Sequence, residues 1–169
     1  MSENAQLIAQ HIPRLRRYAR ALMGNRAAAE DLVQDTLERA WSRFNLWRRG
    51  SDLRAWLFTI MHNIHVNQVR ARVARPEHEL DDAALEVQAQ ADQGDRLEIR
   101  DLDQALRQLP DEQREVLLLV GLEQLTYEEA AKALGIPIGT VMSRLSRGRE
   151  RLRAVLAGRS IMTNLKVVK

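Results

Sequence analysis

Residues 126–145 read Thr126-Tyr127-Glu128-Glu129-Ala130-Ala131-Lys132-Ala133-Leu134-Gly135-Ile136-Pro137-Ile138-Gly139-Thr140-Val141-Met142-Ser143-Arg144-Leu145, and they decide the fold. Thr126 followed by Glu129 is a capping box, in which hydroxyl and carboxylate each satisfy a backbone donor at a helix start. Ala130, Ala131 and Leu134 give that helix a small, apolar inner face. Gly135 marks a left-handed turn, Ile136 to Gly139 form a bridge, and a second helix starts about Thr140. Small Ala131 before the turn glycine and β-branched Val141 after it let the two helices cross closely at a wide angle. The spacing predicts a helix-turn-helix. Its second helix presents Thr140, Ser143, Arg144 and Arg147 outward, with Val141, Leu145 and Leu152 packed inward.

Upstream, Leu97, Ile99, Leu102, Ala105, Leu106 and Leu109 make one helix that stops at Pro110. Pro110 suits the first turn of the next helix, where its missing N–H costs nothing. That helix buries Val116, Leu117, Leu119 and Val120, and Gly121 closes it. Nearer the N-terminus, Leu32, Val33, Leu37, Ala40, Trp41 and Phe44 form an apolar stripe, with Glu30, Asp31, Gln34, Asp35 and Glu38 on the rest of the helix. Residues 45–52 read as a loop in which Ser51 or Asp52 caps the following helix. That helix turns Leu53, Trp56, Leu57, Ile60, Ile64 and Val69 inward and ends by Pro76. No run alternates apolar and polar residues long enough for a strand. The expected fold is all-α.

The chain has 169 residues, enough for one ordinary domain or two small ones of roughly 70 to 80 residues each. Without cysteine it has no disulfide framework, thiolate metal site or thiol nucleophile. Its apolar runs fall short of the roughly 20 residues that span a bilayer. The first residues lack the basic start and apolar run of a secretory signal, which predicts a cytoplasmic location without membrane insertion.

Net charge is only +3, but its distribution is uneven. Residues 53–75 hold four arginines and no acid, residues 139–159 hold six arginines against Glu150, and residues 76–95 between them hold seven acids and no Lys or Arg. The acidic stretch reads as a flexible linker, with some nascent helix around Ala83 to Ala91. The organisation expected is a helical domain at 1–75, a linker at 76–95, a second helical domain at 96–160 and a tail at 161–169.

The exposed start of the second helix of the helix-turn-helix fits a major groove, where arginine donates two hydrogen bonds to guanine and small hydroxyls approach bases or phosphates. Arg149, Arg151 and Arg153 suit phosphates. Residues 54–72 mix aromatics, amides and arginines without an acid, a surface able to follow a phosphate backbone and hold unstacked bases. Trp56, on the inner stripe, reads as core. His62 and His65 have a spacing that brings two ligands to one metal, but no third ligand is in sight, and no metal is expected. No nucleophile–base pair or phosphate-cradling loop appears, so neither catalysis nor a cofactor is expected.

Asp31 to Trp41, the helix with Trp56-Leu57, Asn63 and Arg70, and Leu109-Pro110 with Gln113 to Leu117 ahead of the helix-turn-helix together resemble an extracytoplasmic-function sigma factor of bacterial RNA polymerase. The match runs from about Ile12 to Leu156. The resemblance implies that Asp31, Gln34, Asp35 and Glu38 contact core polymerase, whose clamp coiled coil and flap are the family's docking sites. It implies that Asn63, Asn67, Arg70 and Arg72 melt and read the −10 element, and that Thr140, Ser143, Arg144 and Arg147 read the −35 element. The family often carries Asp where this chain has Asn67 and a smaller residue where it has Met61. An anti-sigma factor is an implied partner. The linker is then either a mimic of nucleic acid threaded through polymerase or a plain tether. Two other readings remain: a helix-turn-helix regulator acting without polymerase, and a helical interaction protein that binds no DNA.

Overall fold

The computed structural model describes residues 2–74 and 95–167, with side chains of the second segment described over 99–158. Every regular element among them is helical. The first unit contains α1 (Glu3–Ala9), α2 (Ile12–Met23), α3 (Arg26–Ser42), a 3₁₀ turn (Phe44–Leu46) and α4 (Leu53–Ala74). The second contains α5 (Asp95–Arg107), α6 (Asp111–Leu117), a π turn (Leu118–Leu122), α7 (Tyr127–Leu134) and α8 (Ile138–Val167).

Local chemistry sets the boundaries. Gly24 ends α2 at φ 71°, and the Asn25 side chain caps α3 by accepting from Ala28 N at 2.8 Å. Asp52, rather than Ser51, caps α4, accepting from Arg54 N at 3.0 Å. The capping box at Thr126 and Glu129 is present in both directions, at 3.1 and 2.9 Å, and Gly135 turns left-handed at φ 65°. Helix periodicity then builds the core. Leu15, Tyr18, Ala19 and Leu22 of α2 face Ala29, Leu32, Val33 and Ala40 of α3, and Leu57, Phe58, Ile60, Met61 and Ile64 of α4 complete the first unit. Thr36, buried among them, donates a hydrogen bond from its hydroxyl to Leu32 O at 2.7 Å.

Several expectations need correction. Gly121 does not close α6: the chain runs on as the π turn and stops at Gln124, whose φ is 58°. Pro110 is the cap of α6, one residue before its first turn. The last helix starts at Ile138 and continues to Val167, through most of the expected tail. Trp41 is 55% exposed and is not part of the core stripe, because it lies round the helix from Ala40 beside Glu38. Trp56 is only partly buried, edge-on to Phe44 at 6.3 Å. Ile99 and Leu102 are exposed on α5. Of the expected acidic linker at 76–95, Asp95 already belongs to α5, and the rest, with its nascent helix, falls outside the described residues.

The two units are packed together. One apolar cluster runs through both, and α4 lies against α7 while α2 meets the π turn. Within the second unit α8 packs on α6 and α7, and at Gly148 an added Cβ would lie 3.1 Å from Leu117.

Candidate functional site

The sequence-predicted residues fall on three separate outer faces. On α3, Asp31, Gln34, Asp35 and Glu38 are all exposed. At about 100° per residue they occupy roughly 100° of arc, opposite Leu32, Val33 and Ala40. Exposed Trp41 extends this acidic strip by one turn.

On α4, Asn63, Asn67 and Arg70 are exposed and share one side. Arg72 is exposed too, but the helical period turns it about half a revolution from them, so it does not join their face. Met61 is fully buried and makes up core rather than surface.

On α8, Ser143 and Arg147 are exposed, and Thr140 and Arg144 are half-buried. All four line an open groove of about 480 Å³ together with Gly139 and with Pro110, Glu112 and Gln113 at the start of α6. Arg144 leans toward α6, its guanidinium 3.7 Å from the Glu112 carboxylate. Val141 and Leu145 are buried behind this face and fix its orientation.

Sequence reasoning missed a fourth feature, the polar seam between the units. Arg17 of α2 donates through Nε and Nη2 to the Glu123 carboxylate at 3.1 and 3.0 Å. Glu123 is fully buried, and its hydrogen bonds and charge raise the Arg17 pKa above its ordinary value. Arg107 and Arg114 cap the C-terminus of α2 from the other unit. Arg107 reaches Leu22 O at 2.6 Å and also donates to Ala21 O, and Arg114 Nη1 approaches Leu22 O at 3.5 Å. Burial pulls both guanidiniums below the usual arginine range, but they remain cations.

Further along, Arg54 of α4 lies 3.4 Å from Glu129 of α7 and 3.6 Å from Asp52. A proton shared with the Asp52 carboxyl, then the Thr126 amide and hydroxyl and the Arg54 charge, hold the Glu129 carboxyl down at about 2, with burial opposing. His62 Nδ1 lies 2.8 Å from Glu115 Oε1, and His65 Nε2 lies 3.1 Å from both oxygens of Asp111. Burial works to raise the Asp111 carboxyl, but the His65 hydrogen bond and the charges of His65, Arg114 and His62 bring it below its usual value. His65 is 3% exposed, and its Nδ1 has no hydrogen-bond partner. The structure does not bring His62 and His65 to one point as their spacing suggested: the residues it gathers are His65 with Asp111 and Glu115 of α6, and His62 instead faces Glu115 from outside that group. A signal was present: Glu115 stands four residues before core Leu119, so the helical period places a carboxylate toward the interior.

Comparison with known proteins follows this division. Residues 8–62 match the Sigma2 domain of PhyR, and residues 99–152 match Sigma-70, region 4. The chain is similar to the ECF RNA polymerase sigma factor EcfG of Rhodopseudomonas palustris, with 41% identity over 145 residues, 86% of this chain and 80% of that protein. It is similar to SigE of Mycolicibacterium smegmatis, with 36% identity over 94% of this chain and 63% of that one. Among solved structures, the sigma factor RpoE in complex with the anti-sigma factor NepR from Bartonella quintana superposes with a TM-score of 0.79 at 37% identity, covering 90% of this chain and 96% of that chain. CnrH in complex with the cytosolic domain of CnrY gives 0.68 at 29% identity, covering 91% and 87%.

Proposed function

The chain belongs to the extracytoplasmic-function RNA polymerase sigma factors, and on that premise we propose how its surfaces divide the work. A sigma factor binds core RNA polymerase and directs it to promoters; this chain is a transcription initiation factor of that kind. It acts without catalysis of its own, in the cytoplasm where its partners are. No helix among the described residues is long and apolar enough to cross a membrane.

The assignment rests on one observation above all. Three exposed faces of distinct chemistry each stand on a helix whose opposite side is buried, and so are held rigidly. The acidic strip Asp31, Gln34, Asp35 and Glu38, extended by Trp41, suits a basic helical surface on the polymerase clamp. Asn63, Asn67 and Arg70 suit the −10 element, where amides and a guanidinium can hold flipped bases and follow phosphates. Arg72, turned away from these three, is better placed for backbone phosphate. Thr140, Ser143, Arg144 and Arg147 suit the major groove of the −35 element, with the start of α6 beside the same groove. The functional division is 1–75 for core and −10 contacts and 96–160 for the −35 element, the latter against the polymerase flap.

The packed units cannot serve both elements at once. Elements centred about 25 base pairs apart are about 85 Å apart at 3.4 Å per pair. A compact chain of this length has a radius of gyration of about 15 Å and is about 40 Å across. The seam therefore opens when the factor works, and the packed form is the one that does not read a whole promoter. By likeness to RpoE with NepR and CnrH with CnrY, an anti-sigma partner is proposed here as well.

Transcription from a randomised promoter library by core polymerase, with and without the chain, tests this reading. Chain-dependent transcripts enriched for two spaced elements are expected. Transcripts that do not depend on the chain would remove it.

A further inference from the structure

We propose that the seam contains a divalent transition-metal site formed by His65, Asp111 and Glu115, and that a Zn²⁺ ion there clamps the two units shut. One ligand atom from each residue lies within 4.8 Å of the other two. His65 comes from α4 and the two carboxylates from α6, so the ligands arrive from opposite sides of the seam. Zn²⁺ holds imidazole nitrogen and carboxylate oxygen at about 2.0–2.2 Å, which separates neighbouring tetrahedral ligands by about 3.3–3.6 Å. The 3.1 Å separation of His65 Nε2 from the Asp111 oxygens is already close to that value. Small rotamer changes bring Glu115 in, and water fills the fourth position.

The surroundings suit a cation. The Glu115 side chain is 5% exposed and that of His65 4%, whereas Asp111 at 38% leaves an entry path from solvent. His62 Nδ1 lies 2.8 Å from Glu115 Oε1, the kind of outer partner that orients a ligating carboxylate. Arg114, whose Nη1 is 3.4 Å from Asp111 Oδ1, directs its other nitrogens to Leu106 O and Leu109 O at 2.8 Å each. Next to the site, buried Tyr18 has its hydroxyl pKa driven up by burial first and then by the charges of Glu115, Asp111 and Glu123. One nitrogen and two carboxylates favour Zn²⁺ over Mg²⁺, which keeps most of its waters.

Opening the seam separates α4 from α6 and so divides the ligand set. By linkage, an ion that binds only the closed form favours it, and the factor is held back from promoters when the ion is plentiful.

The test is calorimetric titration of the metal-stripped full chain with ZnCl₂, with MgCl₂ as control, and melting at each concentration. One Zn²⁺ per chain is expected, with a rise in melting temperature of about 5–10 °C at a hundred times Kd. His65→Gln and Asp111→Asn should abolish saturable binding, and His62→Gln should weaken it about 10- to 100-fold. Because Asp111 is partly exposed, its variant is expected to fold and carries the test if the His65 variant does not. Absence of saturable Zn²⁺ binding at micromolar ion, or binding unchanged in Asp111→Asn, overturns the proposal. The titration uses neither polymerase nor DNA, so its failure leaves the promoter-recognition reading standing.

Discussion

Arg17→Ala takes the cation away from a buried carboxylate and should loosen the seam without unfolding either unit. Glu123 has no exposed side-chain surface and accepts two hydrogen bonds from Arg17, at 3.1 and 3.0 Å. Removing one partner of a buried pair costs about 3–5 kcal/mol. Here Arg17 is half exposed, so water reaches the carboxylate once the guanidinium is gone, and the loss falls to about 1–3 kcal/mol. The pair joins α2 to the end of the π turn across the seam, so this energy is lost from closure. It raises the open-to-closed ratio by about 5- to 150-fold. The chain has no cysteine, so cysteines placed at exposed Ser42 and Glu150 accept dyes cleanly, one on each unit. Energy transfer between them should fall in Arg17→Ala, and core polymerase should bind more tightly as the competent fraction rises. Unchanged transfer together with unchanged or weaker core binding, in a variant of native helicity, would refute the reasoning.

Asp35→Ala should weaken core binding a few-fold with a reduced salt dependence and leave the isolated promoter contacts alone; equal core affinity would remove the docking face. Arg147→Ala should lower −35 binding in the polymerase complex and reduce the slope of log affinity against log salt by about 1 if it meets a phosphate, or relax one base preference if it reads guanine. Gly148→Leu forces side-chain atoms into the α6–α8 contact, where even a Cβ lies 3.1 Å from Leu117, and should cost about 1–3 kcal/mol, seen as a melting temperature lower by several degrees. The Glu129 carboxyl is held at about 2 against an ordinary 4.5, so its contribution is complete above about pH 4.5 and disappears as pH falls through 2. Melting curves of the parent chain and Glu129→Gln should therefore differ at pH 5 and converge toward pH 2.

The sequence makes local chemistry plain. The capping box, the Gly135 turn and the buried backs of α3 and α8 all follow from spacing, and so do the exposed positions of Asp35, Asn67 and Arg147. Long-range pairing is not legible in this way. Glu123 stands 106 residues from Arg17, and Glu115 stands 53 from His62, so nothing in the helical period of either segment names its partner. The same limit misplaces Trp41 and the exposed Ile99 and Leu102, since periodicity marks an apolar residue without saying whether a neighbour covers it. The π turn at Leu118–Leu122 adds a residue to the period and carries the chain past Gly121 to Gln124, a change that no local residue pattern marks. Arg72 shows the reverse case: grouped with Asn63 and Asn67 by likeness of motif, it is parted from them by helix geometry alone.

The account turns on one chain closing when free and opening to hold polymerase on two promoter elements. Energy transfer between dyes at Ser42→Cys and Glu150→Cys, recorded for the free chain, with core polymerase, and in a complex that is making transcript, measures this directly. High transfer in the free chain and its collapse in the transcribing complex are predicted. High transfer that persists while transcript accumulates would contradict it.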